Sequence, residues 1–222
     1  MKKFTITLNG IQVKKEIPED WSEVTFGQYL DLVEVQHNPS GCLAVFVGIA
    51  ESTLQKVRIV GLDDVLHTLS FVQTPPTTQI PKEIKVGDKA YKVPKDLAFE
   101  TTGQFQDAKA IVESFQPNGD NLSREDQLKY LDLVAVFAMP DYLDKSVEEQ
   151  KEFAQQFLNA SCGEVLAVGN FTLLKLIGWK MNIKPGALNK TGALKKLRLA
   201  IKIWLKNTAF SLRFAWLKRK LV

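Results

Sequence analysis

Polar and apolar positions alternate with period two at two places along the chain. FTITLNGIQVKKEIP, from Phe4, alternates on both sides of Asn9-Gly10, and EIKVGDKAYKVP, from Glu83, on both sides of Gly87-Asp88. Period two is the spacing of a half-buried strand. Asn-Gly is favoured in type I′ turns because both central residues need positive φ. Each stretch therefore predicts a β-hairpin, the second shorter by two residues. Each ends at a proline, Pro18 or Pro94, which cannot donate to a ladder and so closes the strand. Acidic turns follow, and then helices beginning near Thr25 and Thr101, where the threonine oxygen can accept an orphan N–H of the first turn.

The two patterns are copies. At a shift of 76 positions, Pro18, Asp20, Thr25, Gly27, Gln28 and Asp31 fall on Pro94, Asp96, Thr101, Gly103, Gln104 and Asp107, while Tyr29 meets Phe105 and Trp21 meets Leu97. Downstream, LAVFVGIAESTLQKV from Leu43 resembles LVAVFAMPDYLDKSV from Leu133: an apolar helix, a break, then an acidic-capped helix. At an offset of 100, Val65, Leu66 and Phe71 find Val165, Leu166 and Phe171. The fold expected is α+β: two tandem units, 1–75 and 82–180, each a hairpin with packed helices, joined by the proline-rich stretch 73–81. QPNGDNLSRED is an insertion in the second unit, with Ser123 and Asp126 forming a cap for the helix that follows. Gly27 and Gly103 each cost about 1 kcal/mol in a first helical turn relative to alanine. That cost at both matching positions predicts a close backbone approach, with the hairpin crossing the helix start. Anion binding at the helix N-terminus is the alternative.

Charge changes the picture beyond the second unit. The 222 residues carry a formal net charge of only +4, but none of the 25 acidic residues lies beyond Glu164. The last 58 residues hold 13 of the 29 basic ones, so an acidic body of net −9 precedes a tail of +13. From Ala193 onward there is no proline or glycine, and a helix over 190–222 is expected to run about 30 residues, or roughly 45 Å. Lys195, Lys202, Lys206, Arg213 and Lys220 would lie within about 20° of one line, with Arg198 some 60° aside, at 100° per residue. Trp204, Leu205, Phe210, Phe214 and Trp216 enrich the rest of its surface. Three roles compete for such a helix. It can be buried by protein partners, acidic neighbouring copies included; it can lie on a membrane surface; or its basic line can follow phosphates without reading sequence.

Candidate chemistry is sparse. Cys42 and Cys162 stand 120 positions apart with no C-x-x-C spacing and are expected reduced and buried. His37 and His67 lack partners at zinc-ligand spacing, and Asp63-Asp64 are expected to serve the positive end of a helix dipole. PNGDNLSRED lacks the ligand order of a calcium loop. Phosphate-binding glycine motifs and a nucleophile elbow are absent from the sequence, so no catalytic, metal or cofactor residues are assigned and no enzyme activity is expected. MKKFTITLNG has no apolar core of a signal peptide, and no run of about 18 apolar residues occurs to span a membrane, which predicts a cytoplasmic place of folding.

IPEDWSEVTFGQYLDL resembles segments of small structural or assembly proteins of tailed bacteriophages of Bacteroidetes, crAss-like phages among them. The resemblance rests on the hairpin, the IP-x-x-W-x-E-V-T pattern, the Gly-Gln-aromatic helix start, and the later VFVGIAESTLQKV and LSFV stretches. It covers about 4–75 and, more weakly, 84–175, and stops short of the basic tail. It implies a virion or morphogenesis protein, assembled in the host cytoplasm. Taken with the charge pattern, the expectation is a place in the head–tail connector or tail region, with other phage structural proteins and further copies of itself as partners, gripped through the tail residues Lys195, Arg198, Lys202, Trp204, Leu205, Lys206, Phe210, Arg213, Trp216 and Lys220, which the resemblance does not cover. A tail assembly chaperone absent from the finished particle, and an internal protein touching DNA through its basic tail, are the alternatives.

Overall fold

A computed structural model describes residues 1–8, 10–35, 38–74, 76, 79–115 and 123–180 of the chain. The fold is α+β, with two units that each begin with a β-hairpin and continue into helices. In the first, β1 (Lys2–Leu8) pairs antiparallel with β2 (Ile11–Ile17). The register places Leu8 opposite Ile11, so the turn has two residues, and Gly10 takes φ of 78° there. The helices α1 (Phe26–Val35), α2 (Pro39–Val47) and α3 (Glu51–Leu54) follow. A two-residue strand β3 (Arg58–Ile59) then adds to the free edge of β1, giving sheet order β2-β1-β3, and α4 (Leu62–Thr68) ends the unit.

The second unit starts with β4 (Glu83–Val86) and β5 (Lys89–Lys92), joined through Gly87 at φ 58°, a hairpin shorter than the first as its register predicts. Four helices complete it: α5 (Thr102–Glu113), α6 (Arg124–Ala138), α7 (Val147–Gln156) and α8 (Cys162–Lys180). Ser123 caps α6 as expected, its Oγ accepting from the Asp126 N–H at 3.0 Å. Ser146 and Glu149 close a reciprocal capping box on α7.

The repeated Thr-x-Gly-Gln step is resolved by its hydrogen bonds. Thr25 Oγ1 accepts from the Gln28 N–H at 3.2 Å, while Gln28 Oε1 accepts from the Thr25 N–H at 3.1 Å. This is a capping box with glutamine at the third helical position. In the second copy Thr101 Oγ1 accepts from the Gln104 N–H at 3.1 Å, and Gln104 Oε1 reaches back to the Glu100 N–H at 2.9 Å. The glutamine is thus the working half of the motif, and the glycine makes room. The close neighbour is not the hairpin, as the sequence suggested. A Cβ on Gly27 would lie 3.3 Å from the Leu158 carbonyl oxygen, and one on Gly103 would lie 2.8 Å from the Leu143 side chain. Both neighbours belong to short 3-10 turns of the second unit, because those turns, not the strands, pack over the helix starts.

One hydrophobic cluster joins the units. Val24, Phe26, Leu30, Leu32 and Cys42 from the first unit are buried together with Leu97, Leu131, Leu133, Phe157, Val165 and Leu176 from the second. A smaller cluster under the first sheet contains Phe4, Ile6, Ile17, Leu43, Val47 and Val65. α8 packs against α6 through Gly169, whose Cβ would fall 1.5 Å from the Tyr130 ring. Tyr130 also donates its hydroxyl to Asn170 Oδ1 at 2.9 Å.

Gly169→Ala is therefore expected to destabilise the protein by about 3 kcal/mol, since the ring lies in the interior and has nowhere to move. Gly103→Ala should be neutral or stabilising by up to about 1 kcal/mol, because the half-exposed Leu143 can turn aside and alanine favours the helix. Urea unfolding midpoints of the two variants check the contrast.

Candidate functional site

The residues that the sequence marks for interaction, Lys195, Arg198, Lys202, Trp204, Leu205, Lys206, Phe210, Arg213, Trp216 and Lys220, lie outside the described residues. His37 and the PNGDNL loop do so as well. The other candidate groups have ordinary structural positions. Asp63 and Asp64 stand in the first turn of α4, where carboxylates favour the dipole, and His67 stands in its last turn. Cys42 and Cys162 are both buried and free. Burial pushes the Cys162 thiol up to about 12, which removes the thiolate a nucleophile would need. Burial likewise pushes the Tyr29 hydroxyl up to about 12 and raises Tyr130 further. Among the described residues, no group of three or more His, Cys, Asp or Glu is placed to hold a metal ion, and no helix is long and apolar enough to cross a membrane.

Lys129 and Lys175 tie parts of the second unit together. Lys129 Nζ donates to the buried Asp126 carboxylate at 2.8 Å and to the Ser114 carbonyl at 2.6 Å, tying the end of α5 to α6. Lys175, on α8, donates to the carbonyl oxygens of Asp96 and Leu97 and lies 5.1 Å from the centre of the Phe99 ring. Asp96 and Leu97 hold φ of 57° and 50°, a left-handed pair that costs free energy in non-glycine residues. The ammonium group stabilises that turn by drawing both carbonyls toward it. Burial lowers the Lys175 pKa from its ordinary value.

The surface feature with the shape of a docking site lies on the first unit. An open groove of about 360 Å³ is lined by Asp31 and Val35 of α1, by Gly41, Ala44 and Val45 of α2, and by the turn from Gly48 to Glu51. Gly41 lets α1 pack closely on α2, since a Cβ there would lie 2.9 Å from Val35 Cβ, and Gly48 can end the helix because it takes φ of 68°. Lys15 Nζ donates to the Val47 carbonyl at 3.0 Å and secures the same helix end. The rim is acidic. Asp31 accepts from Arg124 at 2.7 Å, Glu34 lies 3.0 Å from the same guanidinium, and Glu51 accepts from Asn38 Nδ2 at 2.7 Å. Arg124 pairs with Asp31 and Glu34, Lys15 stands at the helix end, and Glu51 bonds Asn38, so three carboxylates against two cations leave the rim a slight negative balance. The sequence analysis read these positions only as an apolar helix and a break. The available signal was the helical spacing of Gly41, Ala44 and Gly48, which leaves one face of α2 without bulk.

Comparison with known proteins gives no relative: no family model, no curated protein and no solved structure matches the chain.

Both cysteines should resist a thiol reagent such as dithionitrobenzoate in the native protein and react fully in denaturant; rapid native labelling of Cys162 would contradict its burial. Asp132 supplies a test in pH. Burial raises its carboxyl pKa, against the pull of Lys151 and Lys129. A carboxyl raised in the folded state contributes most below its unfolded pKa, and that contribution is lost as pH rises through the raised value. Asp132→Asn should therefore raise the melting temperature relative to wild type more at pH 7 than at pH 4, because the cost of ionising the buried carboxyl is present only at the neutral end.

Proposed function

We propose that the protein is a structural component of a tailed-phage particle, assembled in the host cytoplasm and built into the head–tail connector or tail region. In this reading it binds other structural proteins and copies of itself and performs no catalysis. Its gripping element is the stretch 193–222. The observation that carries the reading is the segregation of charge along the chain: every acidic residue precedes position 165, and an aromatic-rich, wholly cationic stretch ends it. A chain so divided offers complementary surfaces to its own copies. An apolar helical surface without acids also needs a partner to cover it. The hairpin and Thr-x-Gly-Gln pattern, repeated in both units, supports the phage assignment through its resemblance to small virion and assembly proteins.

The full-length chain should form concentration-dependent oligomers in sedimentation velocity that persist at high salt. Trp204→Asp or Leu205→Asp should shift them to monomer. A wild-type chain that stays monomeric throughout, or DNA binding whose affinity falls steeply with salt, would replace this reading with the DNA-contacting one. Mass spectrometry of purified particles separates a permanent component from an assembly chaperone, which would be missing.

A further inference from the structure

We propose that the groove between α1 and α2 is the receptor for residues 193–222 of a second copy, so that copies join body to tail. The inference rests on the preceding reading of 193–222 as the gripping element, and adds where that element binds.

Shape comes first. Val35, Ala44, Val45 and Ile49 give the groove an apolar lining, and Gly41 and Gly48 add no bulk. Such a floor accepts an aromatic ring, and buried aromatic anchors dominate binding energy at interfaces. The tail supplies four candidates, Trp204, Phe210, Phe214 and Trp216. On a helix, at 100° per residue, Trp204 would lie about 180° from the lysine line, so inserting it would direct that line toward solvent.

Charge comes second. The groove is flanked by Asp31, Glu34 and Glu51, partly offset by Arg124 and by Lys15 at the end of α2. The tail brings cations alone, and Arg198 lies to one side of the line, toward the flank of a helix seated by Trp204. Acidic rim and cationic ligand attract at long range and set orientation, while the apolar floor supplies affinity.

Length bears on how many copies meet. The nine residues of α2 span about 13 Å, and a 30-residue helix would span about 45 Å. One groove thus covers a fraction of the segment, and the remaining apolar face is covered only where further copies meet. Each chain carries one groove and one segment, so the contact is heterologous, and repeated head-to-tail contacts close into rings or extend into filaments.

The test uses full-length chains. Ala50→Arg with Glu51→Lys alters the groove at a half-exposed and exposed edge while sparing the core, and Trp204→Asp disables the segment. Alone, each should weaken self-association by about tenfold or more in sedimentation equilibrium. Mixed in equal amounts they should associate again, because one chain keeps a sound segment and the other a sound groove. If the groove variant associates like wild type while Trp204→Asp does not, the groove is rejected and the gripping role of the segment stands. If both associate like wild type, both ideas fall. If the mixture stays monomeric, binding between copies in this groove is rejected. Circular dichroism checks folding, and Asp31→Lys on the α1 side replaces the double variant should that one unfold.

Discussion

Two backbone hydrogen bonds hold the molecule together as one body. Phe26 N–H donates to the Ala160 carbonyl at 2.8 Å, and Cys162 N–H donates to the Val24 carbonyl at 2.9 Å. Between them Thr25 and Ser161 form an isolated antiparallel bridge. The start of α1, in the first unit, is thereby stitched to the start of α8, in the second. Two positions after this bridge the helix start runs close to the second unit, where a Cβ on Gly27 would lie 3.3 Å from the Leu158 carbonyl oxygen. Buried backbone groups left unpaired here would each cost a desolvation penalty of about 1–3 kcal/mol, so the stitch also satisfies the ends of both helices.

From that constraint follows the divergence of the two copies. The capping box survives in both, because it is local: Thr25 with Gln28, and Thr101 with Gln104. What surrounds it does not repeat. Gly27 faces a backbone oxygen in the stitch, whereas Gly103 faces the movable side chain of Leu143. Asp20 caps a 3-10 turn from extended backbone at φ −153°, while its counterpart Asp96 adopts a left-handed conformation held by Lys175. Gln104 has a further task, donating from Nε2 to the Val136 carbonyl at 3.2 Å and so binding α5 to α6. The two starts are alike in sequence, and packing them into one core gives them different surroundings.

This also sets what could be read beforehand. The hairpins, their two-residue turns, the threonine caps, the Ser123 cap and the paired-unit order were legible, because each depends on neighbours within a few positions. The strand β3 was not: Arg58 and Ile59 have no alternation to announce them and are strands only because β1 has a free edge. The partner of Gly27 was not legible either, since Leu158 is 131 positions away in sequence and its approach depends on the stitch. The groove escaped notice for the same reason. Its floor is local to α2, but its acidic rim gathers Asp31, Glu34 and Glu51, and Arg124 joins them from the other unit. The interaction residues from Lys195 to Lys220 rest on sequence alone.

The helix α8 gives the stitch a mechanical meaning. At its first residue it is tied to α1 through Cys162; along its length Tyr130 packs onto Gly169 and bonds Asn170; farther on, Lys175 grips the turn at 96–97. Thr172 is wholly buried and returns its hydroxyl to the Val168 carbonyl at 2.7 Å, so no polar group along this face is wasted on solvent. The cationic stretch begins shortly after the same helix. A load applied to that stretch in an assembly would enter α8, pass by way of Tyr130 and Lys175 into the second unit, and cross the Val24–Cys162 bond into the first. Tyr130 and Cys162 along this path are held neutral by burial near neutral pH. Interdigitated packing around a backbone stitch resists displacement because interiors are close-packed and yield little.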